Sequence, residues 1–247
     1  MKKYTLVFIT AFILGGCQDI SLFEEKEVKQ DYFDMFSMLN KKNDGYFNIQ
    51  YSTVAGGQYS PNDVGKIDGN IGDGSSNYGT ISFNDLSILP DENNGYRLLP
   101  TTACLSLYGK IVNVKIKEER TSFYVATPIK FTDWESGSNV YPGYTLKWNQ
   151  DEANEIGVAV RLLYTSSGDN QVFKETGFSE NKANYIFTED TGEYTFKADD
   201  FDEIPQGATI SLGLARGGAT MMKVEGKKIR LAGISYNLVP KTKYKKY

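Results

Sequence analysis

From Tyr46 to Leu238 the chain repeats one signal: short strand-like runs rich in apolar residues, some alternating apolar with polar, separated by clusters of glycine, asparagine and aspartate. Alternation with a period of two puts apolar side chains on one face of a strand, and the closing residues favour turns. Phe47-Asn48-Ile49-Gln50-Tyr51 sets the pattern, and 79–83, 104–108, 111–116 and 123–125 continue it. A second series runs through 144–148, 158–164, 185–187, 194–196, 209–214 and 229–238. Tyr108-Gly109-Lys110-Ile111 reads as a tight hairpin turn. Short strands at this spacing predict a mostly β protein of one or two β-sandwich, immunoglobulin-like units.

The polar, glycine-containing stretch around Trp134-Glu135-Ser136-Gly137-Ser138-Asn139 lies between the two series. It divides the chain into β units at 46–133 and 140–240, with a single larger sandwich as the alternative. A short amphipathic helix is predicted before them, because Val28, Tyr32, Met35, Phe36 and Leu39 form one apolar stripe and Lys41-Lys42-Asn43-Asp44-Gly45 ends it. The tail 241–247 is basic and reads as a solvated terminus.

Composition excludes more chemistry than it suggests. The chain contains no histidine. Histidine-based metal sites, Ser-His-Asp triads and Cys-His pairs are therefore excluded, while Ser-Lys and carboxylate-pair mechanisms survive. The formal net charge of −4 argues against nucleic acid as a partner. Cys104 sits in an apolar stretch and reads as a small buried hydrophobe. The acidic stretch Asp199-Asp200-Phe201-Asp202-Glu203 and the loop from Asp68 to Gly74 each superficially suit calcium. The loop lacks the glutamate a calcium loop carries at its twelfth position, where Gly79 stands, and both stretches read as turns. No metal, cofactor or catalytic residue is assigned.

The N-terminus carries the most specific motif. Met1-Lys2-Lys3 is basic, and Tyr4 to Leu14 is almost wholly apolar, far short of the roughly 20 residues a spanning helix needs. Leu14-Gly15-Gly16-Cys17 follows. This segment resembles the signal and lipobox of bacterial lipoproteins. The resemblance implies that 1–16 is a signal peptide, cut before Cys17, and that Cys17 carries a diacylglycerol and an N-acyl chain such as palmitate. It also makes 17–45 a lipidated tether ending in the helix. Gln18 stands where inner-membrane retention signals carry aspartate, so an outer-membrane location is expected, on the cell surface or the periplasmic face. The tether Asp19-Ile20-Ser21-Leu22-Phe23-Glu24-Glu25-Lys26-Glu27 is acidic, and in this it resembles export signals of surface lipoproteins from Bacteroides-like bacteria.

A second resemblance covers about 100 residues, from Tyr144-Thr145-Leu146-Lys147-Trp148-Asn149-Gln150-Asp151 through Asp190-Thr191-Gly192 and Pro205-Gln206-Gly207 to a strand ending at Arg216. This order resembles β-sandwich outer-membrane lipoproteins of Bacteroides-like bacteria, most without an assigned activity. By itself Trp148 reads as core, with Asn149 and Asp151 serving the turn.

Together these readings predict a lipid-anchored, non-enzymatic envelope protein acting as a binding or assembly component. Its partners would be the membrane, through its lipid, and other envelope proteins or a glycan. The alternative is a surface glycan-binding module in which Trp134 and Tyr59 act as stacking platforms. A carboxylate-based hydrolase ranks last.

Overall fold

The computed structural model describes residues 42–54, 65–72, 77–135, 137–165 and 182–245. The predicted helix over 24–39, Cys17 and Tyr59 lie outside them. The described chain is mostly β, as the alternation predicts. Its elements are β1 (Gly45–Val54), β2 (Gly65–Ile71), β3 (Ile81–Phe83), β4 (Leu86–Ile88), β5 (Tyr96–Thr101), α1 (Thr102–Leu105), β6 (Lys110–Ile116) and β7 (Glu119–Val125). Then come β8 (Asn139–Val140), β9 (Thr145–Lys147), β10 (Val158–Tyr164), β11 (Lys182–Thr188), β12 (Glu193–Thr195), β13 (Thr209–Val224) and β14 (Lys227–Tyr244).

The chain divides into two compact units, and not at the 134–139 seam suggested by the sequence. Among the described residues, one unit takes those within 42–50, 65–125 and 217–234, and the other takes those within 51–54, 126–216 and 235–245. The reason is the length of β13 and β14, which form a hairpin whose arms pass through both units. Its turn, Glu225-Gly226, has φ values of 49° and 81°. Positive φ at both central residues matches the twist of the strands that the turn joins.

In the first unit the sheet order is β13-β14-β1-β2-β5, and β4-β3-β6-β7 form a separate four-stranded sheet. Phe47 on β1 packs against Phe83 on β3 with ring centroids 5.8 Å apart, and against Tyr96 at 5.5 Å. Val112, Val114, Ile116, Ile67 and Ile81 complete the core. Gly233 is required by this layering, because a Cβ there would stand 2.7 Å from Val125 Cγ1. On the other face of the larger sheet, Asn48, Asp68 and Arg97 stand opposite one another across β1, β2 and β5.

Two sequence expectations fail in this unit. Residues 104–108 are not a strand: 102–105 are helical, followed by turns to Gly109. Burial falls on Cys104, Leu107 and Tyr108, a helical spacing, while Ser106 is exposed and bonds back to the Ala103 carbonyl at 2.8 Å. Gly65 lets this turn lie against β2, since a Cβ there would meet Cys104 Cβ at 2.9 Å. Consequently Tyr108 to Ile111 is no hairpin; Gly109 enters β6 with its N–H on the Val125 carbonyl. The hairpins of this sheet turn instead at Asn84-Asp85 and Lys117-Glu118.

The second unit has the order β11-β10-β13-β14, with β8 joined parallel to β14. The two-stranded pair β9–β12 supplies the opposing layer. Leu146, Trp148 and Phe196 from that layer share a core with Val160, Leu162, Leu212 and Leu214 from the larger sheet. All seven residues of β10 are buried. Arg161, on its other face, hydrogen-bonds Tyr185 directly across on β11. Burial pulls the Arg161 guanidinium pKa down, and the tyrosines beside it oppose that shift.

The basic tail is also corrected. β14 runs to Tyr244, and its alternation buries Thr242 and Tyr244 while Lys241, Lys243 and Lys245 face solvent. Tyr244 stacks on Phe201 with centroids 4.3 Å apart. The lysines hid this strand because they occupy only its outer face. Among the described residues no helix is long and apolar enough to cross a membrane.

Candidate functional site

Two constellations in the second unit gather the residues that the sequence singled out, and they differ in kind. The first is closed. Asp190 lies between β11 and β12 and is buried. Its Oδ1 accepts the Trp148 indole N–H at 2.9 Å and an Arg216 Nη2 hydrogen at 2.9 Å. Its Oδ2 accepts from Asn154 Nδ2 at 2.9 Å and lies 2.8 Å from Arg216 Nε. Arg216 also donates to the Thr127 hydroxyl at 2.8 Å, to the Thr127 carbonyl and to the Asn149 carbonyl.

The neighbouring polar groups are equally committed. Asp151 accepts the backbone N–H of Thr127 at 2.7 Å and of Ala153 at 3.1 Å. Asn149 accepts from the Lys130 N–H and donates to the Pro128 carbonyl. The Trp-Asn-x-Asp stretch, the Asp-Thr-Gly turn and Arg216 thus form one buried network that ties the layers together. A buried charge pair of this kind needs its hydrogen bonds filled. Arg216 does not end its strand as the sequence suggested; β13 continues eight residues further, to Val224.

The second constellation is open. Phe131 makes a bridge to Trp148 and half-buries its ring. Trp134 packs on it at 5.7 Å with the planes 49° apart. Tyr144 meets Trp134 at 6.3 Å and 78°, and Tyr141 meets Tyr144 at 5.7 Å and 66°. Tyr144 in turn stacks on the buried Phe196 at 6.5 Å. Each of the four outer rings therefore has one side held by the protein and part of its surface in solvent.

Local sequence explains the placement. Tyr141-Pro142-Gly143-Tyr144 is a turn closed by the Tyr144 N–H on the Tyr141 carbonyl at 2.9 Å, with Gly143 at φ 95°. Proline then glycine at the central positions is the type II signature. The loop carrying Trp134 is pinned at both ends, by Thr132 N–H on the Lys147 carbonyl and by the Thr242 hydroxyl on the Ser138 carbonyl. Gly137 and Gly143 both have positive φ, and a Cβ at either would meet nothing within 4 Å.

Polar groups rim these rings. Asp133 and Glu135 flank Trp134, are exposed, and with burial and Tyr141 raise the pKa of the Tyr144 phenol, burial being the largest cause. Asp133 lies 4.0 Å from Lys147, whereas among the described residues no cation pairs with Glu135. The Trp134 indole N–H and the Tyr144 hydroxyl have no hydrogen-bond partner among the described residues, and neither atom is buried. The region thus offers aromatic faces, two unengaged donors and two carboxylate acceptors together.

Of the predicted ligand residues, Trp134 is at this patch and Tyr59 lies outside the described residues. The sequence reading missed Tyr141 and Tyr144, which its count of 17 tyrosines obscured. The Pro-Gly turn between them was the available signal. In the acidic stretch, Asp200 accepts the Tyr194 hydroxyl at 2.9 Å and the Lys197 N–H at 2.7 Å, and Glu203 pairs with Lys182. Burial, and after it the bond to Asp200, push the Tyr194 phenol far above its ordinary value. Asp68, from the other candidate loop, sits inside β2. Among the described residues no group of three or more acids and cysteines is placed to hold a metal. No family model, curated protein or solved structure matches the chain.

Proposed function

We propose that this protein is a lipid-anchored, non-enzymatic component of the bacterial cell envelope that binds or assembles through the aromatic patch around Trp134. Cys17 carries the lipid and holds the chain at the outer membrane, on the cell surface or the periplasmic face. Several acyl chains hold stably where one would bind only marginally, at about 0.8 kcal/mol per buried methylene.

The observation carrying the binding role is the contrast between the two constellations. The buried polar groups of the Trp148–Asp190–Arg216 network are spent on one another. The Trp134 and Tyr144 donors and the Glu135 carboxylate are left for a partner. Clustered, half-buried aromatics that keep part of their surface in solvent mark contact surfaces.

Metabolic labelling with an alkyne analogue of palmitate tests the anchor. Wild-type protein takes up label and the Cys17→Ser variant does not. Equal labelling of both, or none of the wild type, overturns the anchoring.

A further inference from the structure

We infer that the patch of Phe131, Trp134, Tyr141 and Tyr144 is a carbohydrate site, and that it seats one sugar ring at a time. This rests on the binding role proposed above and names its ligand class.

Three features of the patch converge on a carbohydrate. A pyranose presents apolar C–H groups on its faces and hydroxyls around its edge, each hydroxyl both donating and accepting. A site for it needs an aromatic face plus donors and acceptors in the surrounding rim. The rim here has both: the Trp134 N–H and Tyr144 O–H donate, and Asp133 and Glu135 accept. A purely apolar partner would leave these groups unpaired, which is unfavourable once they are covered. A cationic partner would use the carboxylates and oppose the two donors. The loops that carry the rings are open as well, since a Cβ at Gly137 or Gly143 would meet nothing within 4 Å.

The ring angles set the size of the ligand. Successive rings are inclined by 49°, 78° and 66°. A flat run of sugars stacks along coplanar rings, and these are not coplanar. Only one ring can offer its face to a given sugar, while its neighbours hold it in place from the side. Trp134 is that platform, because its N–H is open and both carboxylates flank it in the chain. The ligand is then a chain end or a branch sugar, not the middle of a linear polymer.

The test is a titration of the full mature chain with glucose, galactose, mannose, xylose and N-acetylglucosamine, followed by linear oligomers of whichever sugar binds, read by tryptophan fluorescence for the wild type and by calorimetry for the wild type and every variant. Only two tryptophans are present, and Trp148 is buried, so the response reports on Trp134. At least one sugar shifts the emission saturably. Glu135→Gln, at an exposed position, weakens binding severalfold, and Trp134→Ala by at least about tenfold, the loss typical of a central contact residue. Tyr144→Phe, which keeps the packing and removes the donor, weakens it as well. Affinity stops rising after one or two sugar units. A panel with no response overturns the carbohydrate assignment, as does binding unchanged in both Trp134→Ala and Glu135→Gln. Affinity that climbs steadily with oligomer length overturns the single-ring seat. Each of these results leaves Cys17 labelling untouched, so failure of the sugar site and failure of the anchor are distinguishable.

Discussion

The Arg216 guanidinium and the Asp190 carboxylate are paired side-on inside the second unit, with Nε 2.8 Å from Oδ2 and Nη2 2.9 Å from Oδ1. Both residues are buried, and Trp148 and Asn154 fill the remaining positions on the carboxylate. Removing one member leaves the other charged and unpaired. Asp190→Ala and Arg216→Met should each destabilise this unit by about 3–5 kcal/mol in chemical denaturation. The double variant should lose well under the sum, because the orphaned charge is gone. Additive losses would show that the two residues act independently.

A buried carboxylate in the first unit gives a pH dependence of defined sign. Burial raises the pKa of Asp68 above its ordinary value, and Lys66, the hydrogen bond from Asn48, Arg97 and Arg230 only partly offset it. A group whose folded pKa is raised contributes stability below its unfolded pKa. That contribution is lost as pH rises through the folded value. Asp68→Asn should therefore gain stability relative to wild type between about pH 4 and pH 7, measured by denaturation at each pH. A relative loss over that range would mean that Lys66, Asn48 and the arginines together outweigh burial.

Gly233 tests the layering of the first unit. A Cβ there would fall 2.7 Å from one methyl of Val125 and 2.9 Å from the other. Both methyls belong to one short, branched side chain on a paired strand, so the backbone must shift. Gly233→Ala should cost about 1–3 kcal/mol, and Val125→Ala in the same chain should recover part of it. Thermal melts of the three variants decide this, and an unaffected Gly233→Ala would contradict the close approach.

Tryptophan accessibility tests the open patch without any ligand. Trp134 is half-buried while Trp148 is 3% exposed. Iodide should quench one component of the emission, and Trp134→Phe should abolish that component. The residual Trp148 emission should be blue-shifted and resistant. Quenching that survives in Trp134→Phe would place Trp148 in solvent.

The strands were legible where one face is apolar and the other polar. The alternation in 47–51 and 111–116 falls within β1 and β6, and the run 158–164, apolar except for Arg161, is β10. Thr102 to Tyr108 was not legible, because seven residues with five apolar side chains fit a strand and a helical turn almost equally. The full length of β13 and β14 was not legible, because Gly217-Gly218 and Pro240 look like strand ends, yet the strands run through them. In the site, Trp134 stood out by its place in a polar loop. The pairing of Asp190 with Arg216 did not, since 26 residues separate them and only the packed layers bring them together.

The most direct test of the central claim, that Cys17 anchors this protein to the envelope, is the mass of its N-terminal peptide after extraction from cell membranes. The account predicts a peptide beginning at Cys17, with residues 1–16 removed, a diacylglyceryl group on sulfur and an acyl chain on the new amine. A peptide containing Cys17 with an unmodified thiol, or one preceded by Gly16, would contradict it.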